Sequence, residues 1–150
     1  VLGDEEPVYL PADSENAHNR IIFAHGFYAS ALHEISHWCV AGSERRKLED
    51  FGYWYNPDGR TADEQIEFEK VEIRPQAFEW ILSAAAGHRF HFSADNLSSG
   101  IGASDEFKQN VLNQVYQLLE DGLPERVERL VQGLIQQSGR GPLKPSEFYL

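Results

Sequence analysis

Residues 20–42, RIIFAHGFYASALHEISHWCVAG, place a short apolar run directly before a longer stretch with helical spacing. The run over 20–24 (RIIFA) is typical of a buried strand. The following residues predict a helix over about 29–41, with Gly42 as its C-terminal cap. A strand that leads into a helix is therefore the predicted start of the fold.

The predicted helix carries an HExxH pattern formed by His33, Glu34 and His37. Histidines four residues apart lie on one helical face, about 6 Å apart at the backbone, so both imidazoles can bind one divalent cation. Glu34 lies about 100° round the helix from His33, where it can act as a base or as a neighbour that orients a ligand. The pattern predicts a metal site, and a pair of surface histidines is the alternative.

Two histidines need at least one more ligand. The metzincin extension requires glycine at 40 and histidine at 43, and the chain has Val40 and Ser43, so that class is excluded. A carboxylate from a second helix is the natural substitute. The best candidate region is the helical stretch 68–82, whose apolar stripe is formed by Phe68, Val71, Pro75, Phe78 and Leu82.

Glu72 and Glu79 border this stripe on a helical wheel, whereas Glu69 lies on the far side. A carboxylate at such an edge points inward only if a cation meets it, because an unpaired buried charge is costly. We therefore predict Glu72 as the third ligand. A solvent-exposed helix edge is the alternative.

The remaining chain predicts an α+β fold. We expect a single domain over 1–150, in which a short mixed β-sheet is packed with helices and the metal site lies on the HExxH helix. The chain begins at Val1 and contains no Met, so we expect the natural N-terminus to be missing. The other predicted elements are a strand at 51–55, a helix over 61–86 that restarts near Arg74 or is kinked at Pro75, a short strand at 88–92, and amphipathic helices over 104–120 and 124–137.

Composition narrows the choice of partners. The formal net charge is −11, which repels nucleic acid and anionic lipid, so we predict neither a nucleic-acid nor a membrane partner. The charge would favour a cationic substrate, and a role in solubility alone is the simpler alternative. Cys39 is the only cysteine and cannot form an internal disulfide, which favours a cytoplasmic location. Hydrophobic content of 41% is ordinary for a globular protein.

Candidate substrate contacts flank the metal helix. His25 follows the strand and precedes the helix, where it is a substrate contact, a ligand or a turn residue. Tyr53 and Tyr55 are candidate pocket walls, although aromatic strands often belong to the core. Asp58 is a further candidate within a turn. We predict these four residues as substrate-binding.

Two histidines and one carboxylate support two chemistries. They hold zinc and activate water for hydrolysis, with Glu34 as the base, or they hold ferrous iron with positions open for dioxygen and substrate. Ligand identity alone does not separate a zinc-dependent hydrolase from an iron oxygenase. A non-enzymatic binding module with a structural metal is a third possibility.

Three segments, FAHGFYASALHEISHWCVAG, DFGYWYNPDGR and FEKVEIRPQAFEW, resemble the elongation factor P hydroxylase family, and the similarity spans roughly 4–124. The resemblance implies a non-haem Fe(II) enzyme that uses molecular oxygen to hydroxylate the β-lysyl-modified lysine of elongation factor P, its protein partner. The implied ligands are His33, His37 and Glu72. Glu34 would then be a catalytic group that orients substrate or ligand.

Overall fold

The computed structural model describes residues 1–3, 7–24, 27–49, 60–93 and 102–150. The chain divides into two compact units, Val1–Tyr53 and Trp54–Leu150, and each is described by itself. The single domain over 1–150 stays a prediction. Among the described residues, no helix combines the length and the apolar character that a membrane span requires.

The first unit contains a three-stranded mixed sheet. The central strand pairs in parallel with one neighbour, where Leu2 lies opposite Phe23, and antiparallel with the other, where Val8 lies opposite Ile22. This confirms both the mixed sheet and the strand predicted at RIIFA. The strand predicted at 51–55 lies outside the described residues. In chain order the strands are β1 (Leu2–Gly3), β2 (Val8–Leu10) and β3 (Arg20–Ala24).

Helix α1 (Tyr28–Val40) packs against β3 and confirms the predicted helix to within one residue at each end. Its predicted glycine cap is wrong. The helix ends at Val40, and the cap residue Ala41 has φ −59° and ψ 131° and donates its N–H to the carbonyl of His37 at 3.0 Å. Because the chain leaves the helix through this extended residue, no left-handed glycine is required at Gly42.

The second unit is built on the long helix α2 (Ala62–Ala86). Thr61 and Glu64 form a reciprocal capping box at its start, and Gly87 ends it in the left-handed conformation with φ 74°. The predicted range is confirmed, but the fresh start near Arg74 is wrong because α2 continues through Pro75. Proline inside a helix costs about 3 kcal/mol. Pro75 is itself buried, and burial of the apolar face around it offsets that cost.

Helices α3 (Asp105–Asp121) and α4 (Glu125–Ser138) both pack against α2 and confirm the two amphipathic helices. Ser104 caps α3 by accepting the N–H of Phe107 at 3.0 Å. Pro124 lies immediately before α4 rather than in its first turn. The core of this unit is made of fully buried apolar side chains: Ala77, Phe78, Ile81, Leu82, Ala85, Phe107, Val111, Val115, Val127 and Phe148.

The segment 88–92 is irregular, so the short strand predicted there is wrong. Its two phenylalanines pack instead on Trp80 of α2. Phe90 stacks on the indole with ring centroids 5.0 Å apart, and Phe92 meets it edge-on at 5.5 Å. The alternation that suggested a strand therefore reflects two aromatic contacts with one helix rather than pairing with a sheet.

Candidate metal centre

Helix α1 brings the imidazoles of His33 and His37 together. Their Nε2 atoms lie 3.1 Å apart, and their ring centroids are separated by 4.7 Å at an interplanar angle of 71°. Both side chains are half-buried. At this distance one ring nitrogen donates a hydrogen bond to the other, and the four-residue spacing has brought both rings to one face of the helix.

The orientation of α1 follows from its neighbouring side chains. Leu32 and Ser36 are buried, and the hydroxyl of Ser36 donates to the carbonyl of Leu32 at 2.7 Å, so its polar group is satisfied within the helix. His33 and His37 occupy the next positions round the helix. The histidines therefore lie beside the buried ridge of α1, where they are partly shielded from water.

The separation of the two nitrogens can be tested against metal geometry. If each nitrogen lay about 2.0–2.1 Å from an ion, a nitrogen separation of 3.1 Å would correspond to an N–ion–N angle of about 95–102°. That angle lies between the octahedral and the tetrahedral values. The separation of the two nitrogens is therefore compatible with one divalent cation once the hydrogen bond between them is replaced by the ion.

Helix α2 carries Glu72, and the side chain is more deeply buried than the wheel predicts. Its exposed fraction is 0%, whereas Val71, which the wheel assigns to the buried stripe, is 39% exposed. The buried face of α2 is therefore rotated toward Glu72. Glu69, three residues before Glu72, accepts the N–H and the hydroxyl of Ser104 at 3.1 and 2.8 Å and so holds the start of α3.

The carboxylate of Glu72 has a defined hydrogen-bond partner on its own helix. The side-chain amide of Gln76 donates to Oε2 of Glu72 at 3.1 Å, and the amide oxygen of Gln76 accepts the backbone N–H of Ser93 at 3.2 Å. Sequence reasoning missed Gln76. Its spacing of four residues from Glu72 is the signal that identifies it.

Among the described residues, His33, His37 and Glu72 form a group that could hold a metal ion. Each offers one ligand atom, and these atoms all lie within 4.8 Å of one another. Two imidazole nitrogens and one carboxylate oxygen suit a borderline divalent ion such as zinc or ferrous iron. The donor set and its spacing therefore fit the predicted metal.

Glu34 is half-buried on α1 beside His33 in the chain. Its position differs from that of His33 by about 100° round the helix, so the two side chains leave the helix in different directions. The four predicted substrate contacts, His25, Tyr53, Tyr55 and Asp58, lie outside the described residues.

A second buried polar pair lies at the start of α2 and was also missed. Arg60 is buried with its guanidinium carbon 4.0 Å from the ring centroid of Phe68, and its Nε donates to Gln65 at 2.7 Å. Arginine stacked on an aromatic face is a favourable way to bury this cation. No pattern in the sequence distinguishes Arg60 from a loop residue.

Comparison with known proteins identifies the family. Residues 1–148 match the family model for elongation factor P hydroxylase. The chain belongs to the elongation factor P hydroxylase family. It is also 59% identical over 135 residues to the elongation factor P lysine hydroxylase of Haemophilus influenzae, an alignment that covers 90% of this chain and 76% of that protein.

Membership in the elongation factor P hydroxylase family confirms the resemblance drawn from the three sequence segments. The match covers nearly the whole chain, so both α1 and α2, with their candidate ligands, fall inside it. A family of hydroxylases supports an enzymatic role. The zinc hydrolase alternative finds no support in these matches.

Proposed function

We propose that this protein hydroxylates the β-lysyl-modified lysine of elongation factor P in an oxygen-dependent reaction at a non-haem metal site. The observation that carries the proposal is the 59% identity, over 90% of the chain, with the Haemophilus influenzae elongation factor P lysine hydroxylase. The ligand group formed by His33, His37 and Glu72 supports the metal-dependent part of the proposal.

The proposed metal is Fe(II), held by the two imidazoles and the carboxylate. When bound, Fe(II) would supply the redox chemistry for hydroxylation of a C–H bond by dioxygen, in which an external two-electron reductant reduces the second oxygen atom to water. His33 and His37 contribute neutral donors, and Glu72 contributes one negative charge. Because Glu72 is fully buried, its charge acts in surroundings where electrostatic attraction to a cation is strong.

Glu34 is proposed as the group that orients the substrate. A modified lysine is a long chain that carries ammonium groups, and a half-buried carboxylate next to a metal ligand can bind such a group. His25, Tyr53, Tyr55 and Asp58 remain predicted substrate contacts. The formal net charge of −11 adds a general attraction for a cationic side chain.

The test is the intact mass of elongation factor P from cells that lack this protein. We expect the factor to be lighter by one oxygen atom and to regain that mass with the wild-type protein, but not with His37→Ala or Glu34→Gln. His91→Ala removes an exposed histidine and is the matched control, which should restore the mass. Full hydroxylation in cells without the protein would contradict the proposal.

Metal analysis tests the cofactor separately. We expect protein purified anaerobically without added metal to contain iron or to bind Fe(II) at one equivalent, and His37→Ala to lose this binding. Stoichiometric zinc together with cleavage of peptides would instead support the hydrolase. If the Glu34→Gln variant still hydroxylates elongation factor P fully, Glu34 is not essential for the reaction.

A further inference from the structure

Gln76 lies one helical turn after Glu72 and has an exposed fraction of 0%. Burying a polar side chain is costly unless its hydrogen-bonding groups are satisfied. Both ends of the Gln76 amide are bonded, the nitrogen to Glu72 at 3.1 Å and the oxygen to Ser93 at 3.2 Å. A glutamine in this position therefore does more than fill space, since an apolar side chain would fill it at lower cost.

The two partners of Gln76 fix which way its amide points. The backbone N–H of Ser93 is only a donor, so it must face the amide oxygen. The amide nitrogen then faces Glu72, whose ionised carboxylate is only an acceptor. The orientation is thus set by chemistry at both ends, and the irregular segment that contains Ser93 holds the glutamine in place.

We infer that Gln76 is a positioning residue that fixes the orientation of the Glu72 carboxylate for metal binding, an inference that rests on the proposed function. Because Oε2 of the carboxylate accepts a hydrogen bond from a neutral amide, rotation of the carboxylate is restricted without Gln76 neutralising its negative charge. A lysine or arginine in the same place would compete with the cation for that charge. Hydrogen bonds to metal ligands of this kind typically contribute 10–100-fold to metal affinity.

The test measures Mn(II) affinity of the full chain, freed of metal, by isothermal titration. Mn(II) is a redox-stable probe for oxygen and nitrogen sites. Gln76→Met keeps the length of the side chain and removes the hydrogen bonds, so we expect affinity to fall about 10–100-fold. Gln65→Met is the matched control, because it removes a buried glutamine of the same helix whose amide oxygen accepts from Arg60.

A structural role alone predicts a different pattern. If Gln76 only stabilises the fold, both Gln76→Met and Gln65→Met should lower the midpoint of urea unfolding. Both variants should then bind Mn(II) with the affinity of the wild type. That result would overturn the inference. The visible spectrum of the Co(II)-loaded protein gives an independent measure, because displacement of Glu72 should change it in Gln76→Met and not in Gln65→Met.

Glu72→Gln separates this inference from the proposed function. If Glu72→Gln binds Mn(II) as tightly as the wild type, the ligand assignment itself fails. If Glu72→Gln loses affinity but Gln76→Met does not, only the positioning role fails. If Gln76→Met does not fold, Ser93→Pro is the second variant. Ser93 is exposed, and proline at this position removes the backbone N–H that orients the side-chain amide of Gln76. Reduced Mn(II) affinity of a folded Ser93→Pro supports the inference, and unchanged affinity overturns it.

Discussion

His33 and His37 direct their Nε2 atoms to within 3.1 Å of each other from consecutive turns of α1. Each ring is only half-buried, so neither is a main support of the core. The pair therefore offers a way to remove metal binding without unfolding the protein.

Replacing either histidine with alanine should abolish most metal binding and leave the metal-free fold intact. We expect His33→Ala and His37→Ala each to lower Mn(II) affinity by about 100-fold or more, because each loses a direct ligand rather than a neighbour of one. The free energy of unfolding without metal should change by less than about 1 kcal/mol. Titration calorimetry and urea unfolding measure the two effects, and His91→Ala should alter neither. Unchanged Mn(II) affinity in both ligand variants would contradict the assignment.

Metal binding should stabilise the native protein. A ligand present at 100 times its dissociation constant raises the free energy of unfolding by about 2.7 kcal/mol if it binds only the native state. We therefore expect the thermal midpoint to rise with Mn(II) and to return to its original value when a chelator is added. In His37→Ala the same concentration of metal should produce little shift. A metal-induced rise of the same size in His37→Ala would place the binding elsewhere.

The start of α2 depends on the side chain of Thr61, which accepts the N–H of Glu64 at 3.2 Å while Glu64 bonds back to the Thr61 N–H at 3.1 Å. Thr61→Ala removes the first of these bonds and should cost about 1 kcal/mol of the free energy of unfolding. Thr61→Ser keeps the hydroxyl and should stay close to the wild type. Urea unfolding at neutral pH distinguishes the two, and equal stability of Thr61→Ala and the wild type would contradict the role of the cap.

Acid should weaken the C-terminal tail through Glu147. The hydrogen bond from Arg140 lowers the pKa of this carboxyl below its ordinary value of 4.5. Because the folded pKa lies below the unfolded one, the stabilisation is present above pH 4.5 and is lost as the pH falls through the folded pKa. We expect the difference in unfolding free energy between the wild type and Glu147→Gln to shrink over that window. A difference that stays constant as the pH falls would contradict this origin.

Local patterns predicted the helices well. The helical spacing of the stretch after β3 identified α1, and Thr61 and Gly87 bracket α2 because capping residues act within one turn of the ends that they satisfy. Helical spacing and capping depend only on residues that are close in the sequence, so they can be recognised from the sequence alone. The three-segment resemblance led to the correct family for the same reason, since those segments are distinctive in wording and order.

The buried face of α2 was harder to predict. Besides apolar side chains it buries Gln65, Glu72, Gln76 and Glu79, so polarity does not distinguish the inside of this helix from the outside. The wheel accordingly included Val71 in the core and left Glu72 at its edge. Polar residues become buried when tertiary contacts satisfy them, and those contacts are not visible in the periodicity of one helix.

The same limit explains the error at 88–92. Alternating large side chains satisfy the pattern of a strand, but they pack equally well on a single broad indole such as that of Trp80. Which of the two occurs depends on what lies opposite, and the sequence pattern does not contain that information.

Pro75 has a consequence for how α2 fluctuates. Proline has no N–H to donate to the carbonyl of Val71, so the helix lacks one interior backbone hydrogen bond within one turn of Glu72. Transient opening of a helix is easiest where a backbone hydrogen bond is missing. If Glu72 binds a cation as proposed, the bound ion would restrain α2 at the turn where this backbone hydrogen bond is missing.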